Sequence, residues 1–311
     1  MFVAHVAPSD GPGHLLNLSE YLTYPLFAAI VGMGATLGRD QPFGAALVRG
    51  GVLVAAGLWL DERGSYVIIV LAYLGLLTWV MHPLSRCRTP VVAATGLLAL
   101  VVAPPLRHAL LDQRLQLYLH GHATAARLLD WVVTGDEYRL LSMVGYACLG
   151  MVVLREVRGG RLSTRARQTV AVSVLLVSVV VFGAAARAGV VELHPYEATW
   201  REHAFCALLL AFTSLATLLL GPSLGVLTRA FAAVGQMAFS LYVIQILYLA
   251  AYVRQIHPGL TADDSWANLA LLIVSAFVLV LVWRTVVGRG VFRRGPLEGA
   301  TALLVRAHLG R

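Results

Sequence analysis

A chain of 311 residues that is 59% apolar and 13% charged, with a mean hydropathy of +0.76, is not a soluble globular domain but a polytopic helical membrane protein. Its formal charge of +8 rests on 24 basic residues, all arginine, held mostly in short loops between apolar runs; membrane orientation explains them, and a nucleic-acid surface does not. Cys87, Cys148 and Cys206 are scattered, which excludes a disulfide framework and gives no zinc site.

The chain opens on MFVAHV, an apolar fragment that covers only ~10 Å as a helix and cannot cross a bilayer alone. The expectation is a reading frame that begins inside the first transmembrane helix. A polar loop with Asp10, His14 and Asn17 follows, up to Glu20. Full spans are then expected at 21–38, 43–60, 66–81, 90–103, 140–154, 170–186, 204–220, 231–252 and 266–287. The fold class expected is therefore all-α, a polytopic membrane bundle of about ten transmembrane helices with the first truncated. Residues 1–287 form a single transmembrane domain and 288–311 a basic cytoplasmic tail. Within it, 106–139 is an outer loop whose leucines recur at helical spacing, an amphipathic helix on the outer leaflet. His120-Gly121-His122 in that loop is poorly spaced for a metal, and none is expected.

Loop charge supports this count. The ends following residues 38, 81, 154, 220 and 287, with Arg49 and Arg284, carry 16 arginines against three acids; the opposite ends carry eight arginines and thirteen acids. The positive-inside rule makes the first set cytoplasmic. The same partition puts His14, His108, His120, His122, His194, His203 and His257 on the outer side, with His5 at or just below the outer mouth. An arginine face suits a phosphate-rich anion, and a histidine and carboxylate face suits proton transfer. The blander account of each is a topogenic arginine or a solvated loop histidine.

The stretch Val234–Gln245, VGQMAFSLYVIQ, stands out within its apolar run. Gln236, Ser240, Tyr242 and Gln245 are expensive in hydrocarbon unless paired, so this helix is expected at the centre of the bundle. Those groups are either interhelical hydrogen-bond partners or the lining of a reaction chamber. Pro25 and the Gly32/Gly34 pair predict a kink or close helix contact.

Four stretches in order between Glu20 and Glu298 carry a family resemblance: YPLFAAIVGMGATLGR (24–39), MVGYACLGMVVLRE (143–156), VGQMAFSLYVIQ (234–245) and RGPLEG (294–299). Together they resemble the YeiB-like and heparan-alpha-glucosaminide N-acetyltransferase-like membrane acyltransferases. The resemblance implies a ten- or eleven-helix bundle that uses cytosolic acyl-CoA to acylate an acceptor outside. More distantly, the chain is similar to OafA-type O-acyltransferases, whose first helix carries a histidine that falls on His5; the heparan-type parallel favours His14 instead. Gln236 stands where the family usually has arginine.

Acyl transfer needs a base for the acceptor's proton, donors for the developing oxyanion and exclusion of water. The candidate base is His5 or His14, with Asp10 or Glu20 as its orienting carboxylate and Gln245 and Ser240 as hydrogen-bond donors; direct transfer and an acyl-histidine both remain open. Arg39, Arg49, Arg86 and Arg88 are the candidates for gripping the phosphates of coenzyme A. The segment from Glu192 to His203 is a second polar outer cluster that could receive the acceptor.

The function expected is a membrane-bound acyltransferase moving an acyl group, most simply acetyl, from cytosolic acyl-CoA to a glycan or glycolipid hydroxyl or amine. Acyl-CoA is a co-substrate and no tightly bound cofactor is expected. The partners are the bilayer, the donor and the extracytoplasmic acceptor, with a homodimer as one assembly and the bacterial cytoplasmic membrane as the location. The rivals are a transporter or flippase of an envelope precursor, which lacks a convincing inverted repeat, and a non-catalytic membrane scaffold.

Overall fold

The computed structural model describes residues 2–8, 16–261 and 264–310 and is 80% helical, with no strand among the described residues. In chain order the helices are α1 (Phe2–Val6), α2 (Leu18–Leu37), α3 (Phe43–Asp61), α4 (Leu71–Leu84), α5 (Thr89–Leu119), α6 (Ala123–Leu129) and α7 (Leu140–Gly159). They continue as α8 (Arg165–Arg187), α9 (Trp200–Leu220), α10 (Val226–Gly235), α11 (Ala238–Ala251), α12 (Trp266–Val287) and α13 (Pro296–His308). The protein is an all-α bundle. Among the described residues seven helices, α3, α5, α7, α8, α9, α11 with its π-helical turn to Ile256, and α12, are long and apolar enough to cross a membrane. Of the nine full spans the sequence suggested, that at 66–81 becomes the 14-residue α4, because the chain turns into helix only at Leu71. The run 231–252 is divided between α10 and α11, whose break falls at Gln236-Met237 after Gly235.

The chain folds as two compact units: Met1–Ser19, Gly44–Ala72 and Gly221–Arg311 form one, Glu20–Phe43 and Tyr73–Leu220 the other. The second unit is built around α7, whose buried face includes Gly145, Tyr146, Cys148, Gly150 and Met151. Small residues bring its neighbours to backbone distance. A Cβ on Gly32 of α2 would lie 2.0 Å from the carbonyl oxygen of Ala147, and one on Gly150 would lie 2.5 Å from that of Ala29. Helices in lipid associate by such close approach, since the tails are as apolar as the side chains. Gly34, by contrast, faces open space.

Helix α5 departs from expectation. Instead of ending at Pro104-Pro105 it runs on to Leu119, so residues 106–119 extend a spanning helix and form no separate amphipathic one. Pro105 has no N–H to give to the carbonyl of Val101, four residues back. The Trp200 indole Nε1 donates to that oxygen at 2.9 Å and replaces the missing bond. At 31 residues α5 is about 46 Å long against a hydrocarbon core of about 30 Å, so its last turns project beyond it. Gly121, at φ +77°, turns the chain back into α6. Arg114 then staples the return to α5, 2.6 Å from Asp130 and 3.0 Å from Asp136.

In the first unit, α1 lies against α11 and α12, with Val6 in a buried cluster with Leu249, Leu269 and Leu272. The backbone N–H of Ser265 donates to the Val6 carbonyl at 3.1 Å, and the Ser265 hydroxyl accepts from Asn268 N–H at 3.2 Å as the N-cap of α12. The basic C-terminal segment is ordered as α13, whose end meets the start of α3 at His308 and Gly44.

The backbone contact at Gly32 gives a contrast that can be measured. Gly32→Val should lower the thermal midpoint of the detergent-solubilised protein by the equivalent of about 3 kcal/mol or prevent its accumulation, because the obstacle is a backbone carbonyl that cannot turn away. Gly34→Ala should leave the midpoint unchanged or slightly raised.

Candidate functional site

The first unit holds the polar groups that can act together, and they are arranged along α11. At its N-terminal end the Glu298 carboxylate accepts from the backbone N–H of Phe239 at 2.8 Å, from that of Ser240 at 3.1 Å and from the Ser240 hydroxyl at 2.5 Å. The same hydroxyl accepts from Leu297 N–H at 3.1 Å. One carboxylate thus caps the first turn of α11, where N–H groups lack helical partners and the helix dipole favours negative charge.

This cap accounts for the segment RGPLEG. Gly295 sits at φ +129° and ψ +157°, a region only glycine occupies readily, and a Cβ there would meet a Glu298 carboxylate oxygen at 2.1 Å. Pro296 opens α13 where no N–H is needed. Gly299 leaves room for Phe292, whose carbonyl accepts from the Trp283 indole at 2.7 Å and so pins the preceding loop to α12.

Around this cap two adjoining cavities open, of about 790 and 490 Å³. The larger is bounded by α3, the start of α11, the 290–294 loop and α13, and takes in Arg49, Arg294, Arg306 and Glu298 among apolar side chains such as Leu53 and Phe239. The smaller is lined by Gln236, Gly290 and four arginines, Arg284, Arg289, Arg293 and Arg294. Gln236, Gly290 and Arg294 belong to both. Among the described residues Glu298 is the one carboxylate lining either cavity, and both its oxygens are occupied by α11. Six guanidinium groups with one carboxylate among the described lining residues are chemically suited to an anion. Arginine is suited to it, since its planar fork matches phosphate and carboxylate oxygens.

Farther along α11, Gln245 is buried, and its side-chain nitrogen lies 3.2 Å from Nδ1 of the half-buried His5. As placed, the amide donates and the imidazole proton sits on Nε2; with the amide turned over, Nδ1 donates and Nε2 becomes the base. The Gln245 oxygen is buried without a hydrogen-bond partner. The His5 carbonyl accepts from the Tyr66 hydroxyl at 3.1 Å, which fixes the backbone beneath the ring. From Phe239, at the cavity, to Gln245 the axial rise is about 9 Å.

Of the residues singled out in the sequence, the structure brings His5, Gln245, Ser240 and Arg49 into this one unit. His5 and Gln245 touch; Ser240 is engaged by Glu298 and Leu297 and serves as the link between α11 and α13. Arg49 lines the larger cavity. Asp10 and His14 lie outside the described residues. Glu20, in the first turn of α2, belongs to the second unit, as do Arg39, Arg86 and Arg88. There Arg86 donates to the backbone carbonyls of Arg39 at 3.4 Å and Gln41 at 3.1 Å, closing a loop. Arg39 is 3.5 Å from the Asp40 carboxylate, and Arg88 is the N-cap residue of α5.

The 192–203 cluster also lies in the second unit, with Glu202 and His203 buried and Glu192, His194, Glu197 and Arg201 exposed. Glu202 is buried, its carboxylate accepting from the backbone N–H groups of Tyr196, at 2.8 Å, and Ala198. Fully buried Arg139 donates to the carbonyls of Gly135 and Tyr196. Burial, with the Glu20, Glu137 and Glu202 carboxylates nearby, raises the Tyr196 phenol well above its ordinary value. These bonds order the loop from within and leave Glu192, His194, Glu197 and Arg201 on its exposed side.

An all-α membrane protein with an arginine-lined pocket at one end of an apolar helix that carries buried polar side chains is the class that this fold and site define. The model of a family described as a protein of unknown function (DUF418) matches residues 157–306. That is the YeiB-like family, and the similarity spans just under half of the chain, from the end of α7 into α13. It takes in VGQMAFSLYVIQ and RGPLEG, the two segments that build the cap. No curated protein and no solved structure matches the chain.

The cap predicts a graded response. Glu298→Gln keeps an acceptor for α11 but loses the charge, while Glu298→Ala leaves two backbone donors and a hydroxyl unpaired. Loss of stability should be about 1 kcal/mol for the first and about 2–3 kcal/mol for the second, read as successive drops in thermal midpoint. Equal midpoints for the two variants and the parent would contradict the assignment.

Proposed function

We propose that the protein is an integral membrane acyltransferase of the bacterial cytoplasmic membrane. It would move an acyl group, most simply acetyl, from cytosolic acyl-CoA to a hydroxyl or amine of an extracytoplasmic glycan or glycolipid. The observation that carries this is the sharing of one helix. Seated on α11 are an arginine pocket able to hold a polyphosphate and, about 9 Å along the axis, a histidine paired with a buried amide. A coenzyme A held by its phosphates at Arg49, Arg294 and Arg306 could extend its pantetheine arm over that distance.

In the step itself the acceptor oxygen or nitrogen attacks the thioester carbonyl, His5 Nε2 takes the acceptor's proton, and the carbon–sulfur bond breaks to release the thiolate. The proton then passes to the leaving sulfur. For this His5 must hold its own proton on Nδ1, which the Gln245 oxygen accepts with the amide turned over. That bond would also satisfy the unpaired acceptor. His14 is a second candidate for the base and is tested beside it. The concentration of arginine around the pocket supports the reading.

The test is acyl transfer from radiolabelled acetyl-CoA to envelope glycans and glycolipids by the full-length protein in proteoliposomes. His5→Ala should reduce transfer by about 100-fold or more at undiminished protein level, and Arg49→Ala should act chiefly on the KM for acetyl-CoA. Full transfer by a well-expressed His5→Ala, His14→Ala double variant would contradict the mechanism. Acceptor accumulation without thioester consumption would replace the acyltransferase with a transporter.

A further inference from the structure

The two adjoining cavities differ in kind. The larger mixes arginine with Leu53, Phe239, Val291 and Ala302, walls that suit a flat base and an aliphatic arm as well as charge. The smaller has no apolar side chain among its lining residues: four arginines, one amide and one glycine surround about 490 Å³. Four positive charges with no lining carboxylate strongly favour a compact group of high negative charge. A phosphate monoester, carrying roughly −1.5 to −2 near neutral pH, matches better than a diphosphate diester linkage or a carboxylate.

The smaller cavity is also built in advance of any ligand. Arg284 is held by the Gln236 side-chain oxygen at 2.8 Å. Gly288, Gly290 and Gly295 take φ values of +60°, +118° and +129°, so the loop presenting Arg289, Arg293 and Arg294 adopts a path that side chains would resist. The Trp283 indole anchors its middle to α12. The backbone path and Arg284 are thus set before a ligand arrives, which lowers the entropy lost on binding, while the exposed side chains of Arg289, Arg293 and Arg294 close onto it.

Resting on the acyl-CoA reading above, we propose that this smaller lobe is a dedicated subsite for the phosphate monoester on the ribose of coenzyme A, with the diphosphate in the larger lobe and Arg294 shared between them. The site thereby distinguishes acyl-CoA from donors that carry only the pantetheine and diphosphate parts. Gln236 contributes by holding Arg284, where an arginine at that position would add a further charge.

The experiment compares binding of acetyl-CoA and acetyl-dephospho-CoA to the detergent-solubilised full-length protein, with and without Arg289→Ala and Arg293→Ala together. The parent should prefer acetyl-CoA by about tenfold or more, the effect of one charge-assisted contact set. The double variant should lose that preference while binding acetyl-dephospho-CoA within about twofold of the parent, its thermal midpoint unchanged. Arg49→Ala should weaken both ligands alike. A preference that survives in the double variant, or a parent that binds the two nucleotides equally, overturns the subsite and leaves the acyl-CoA reading intact. Failure of the parent to bind either nucleotide overturns that reading itself. A lipid headgroup is the other source of such a phosphate: competition by phosphatidic acid in mixed detergent micelles that is abolished in the double variant, with no nucleotide preference in the parent, assigns the lobe to lipid and also overturns the proposal.

Discussion

The Glu298 carboxylate is the point on which the first unit turns. The first N–H groups of a helix have no partners within it, and α11 starts afresh because the chain breaks at Gln236-Met237. Supplying the missing acceptor from α13 ties the C-terminal segment to the centre of the unit. It also fixes the loop before α13, and with it Arg293 and Arg294, beside Arg284 of α12 and Arg49 of α3. Hydrogen bonding leaves the Glu298 charge in place, but one carboxylate among six arginines offsets only one of them, so among the described residues the pocket lining keeps an excess of positive charge.

That excess is what gives the site a chemical direction. Arginines at the end of a membrane helix ordinarily contact headgroups or water, and each alone says little. Here they converge on two adjoining open pockets rather than spreading over a face, and four of the six residues that line the smaller are arginines. On the proposed reading, the pocket holds the charged end of a donor while the part-buried Gln245–His5 pair waits farther along α11. The distance between them then becomes a requirement on the ligand: a charged head, a long thin arm and a reactive tip.

Much of the architecture could be read from the chain. Long apolar runs separated by arginine-bearing loops gave most helices their bounds, because hydrophobic length is a local property. What sequence could not deliver were the places where one segment repairs another. Pro104-Pro105 looked like a terminus, and only the Trp200 indole, 99 residues away along the chain, lets α5 continue. The apolar run 231–252 looked unbroken, since periodicity does not register a helix that stops because a distant carboxylate is ready to cap it. Ser240 was legible as a polar group needing a partner, but its partner was not.

The site shows the same division. His5 and Gln245 were each visible as polar residues out of place in hydrocarbon, and their pairing brings residues 240 apart in the chain together. Arg39, Arg86 and Arg88 were as plausible as Arg49 by loop position, yet Arg86 is occupied with backbone carbonyls and only Arg49 faces the cavity. Arg294 and Glu298 lay within RGPLEG, a segment noticed for its resemblance, with its physical reason hidden until Gly295 and the cap were seen together. Determining the structure of the full-length protein with a non-cleavable thioether analogue of acetyl-CoA tests the central claim most directly. The account predicts the nucleotide between α3 and α13, with the acyl carbonyl within hydrogen-bonding reach of the His5 ring. A nucleotide bound elsewhere, or one whose acyl end points away from α11, would contradict it.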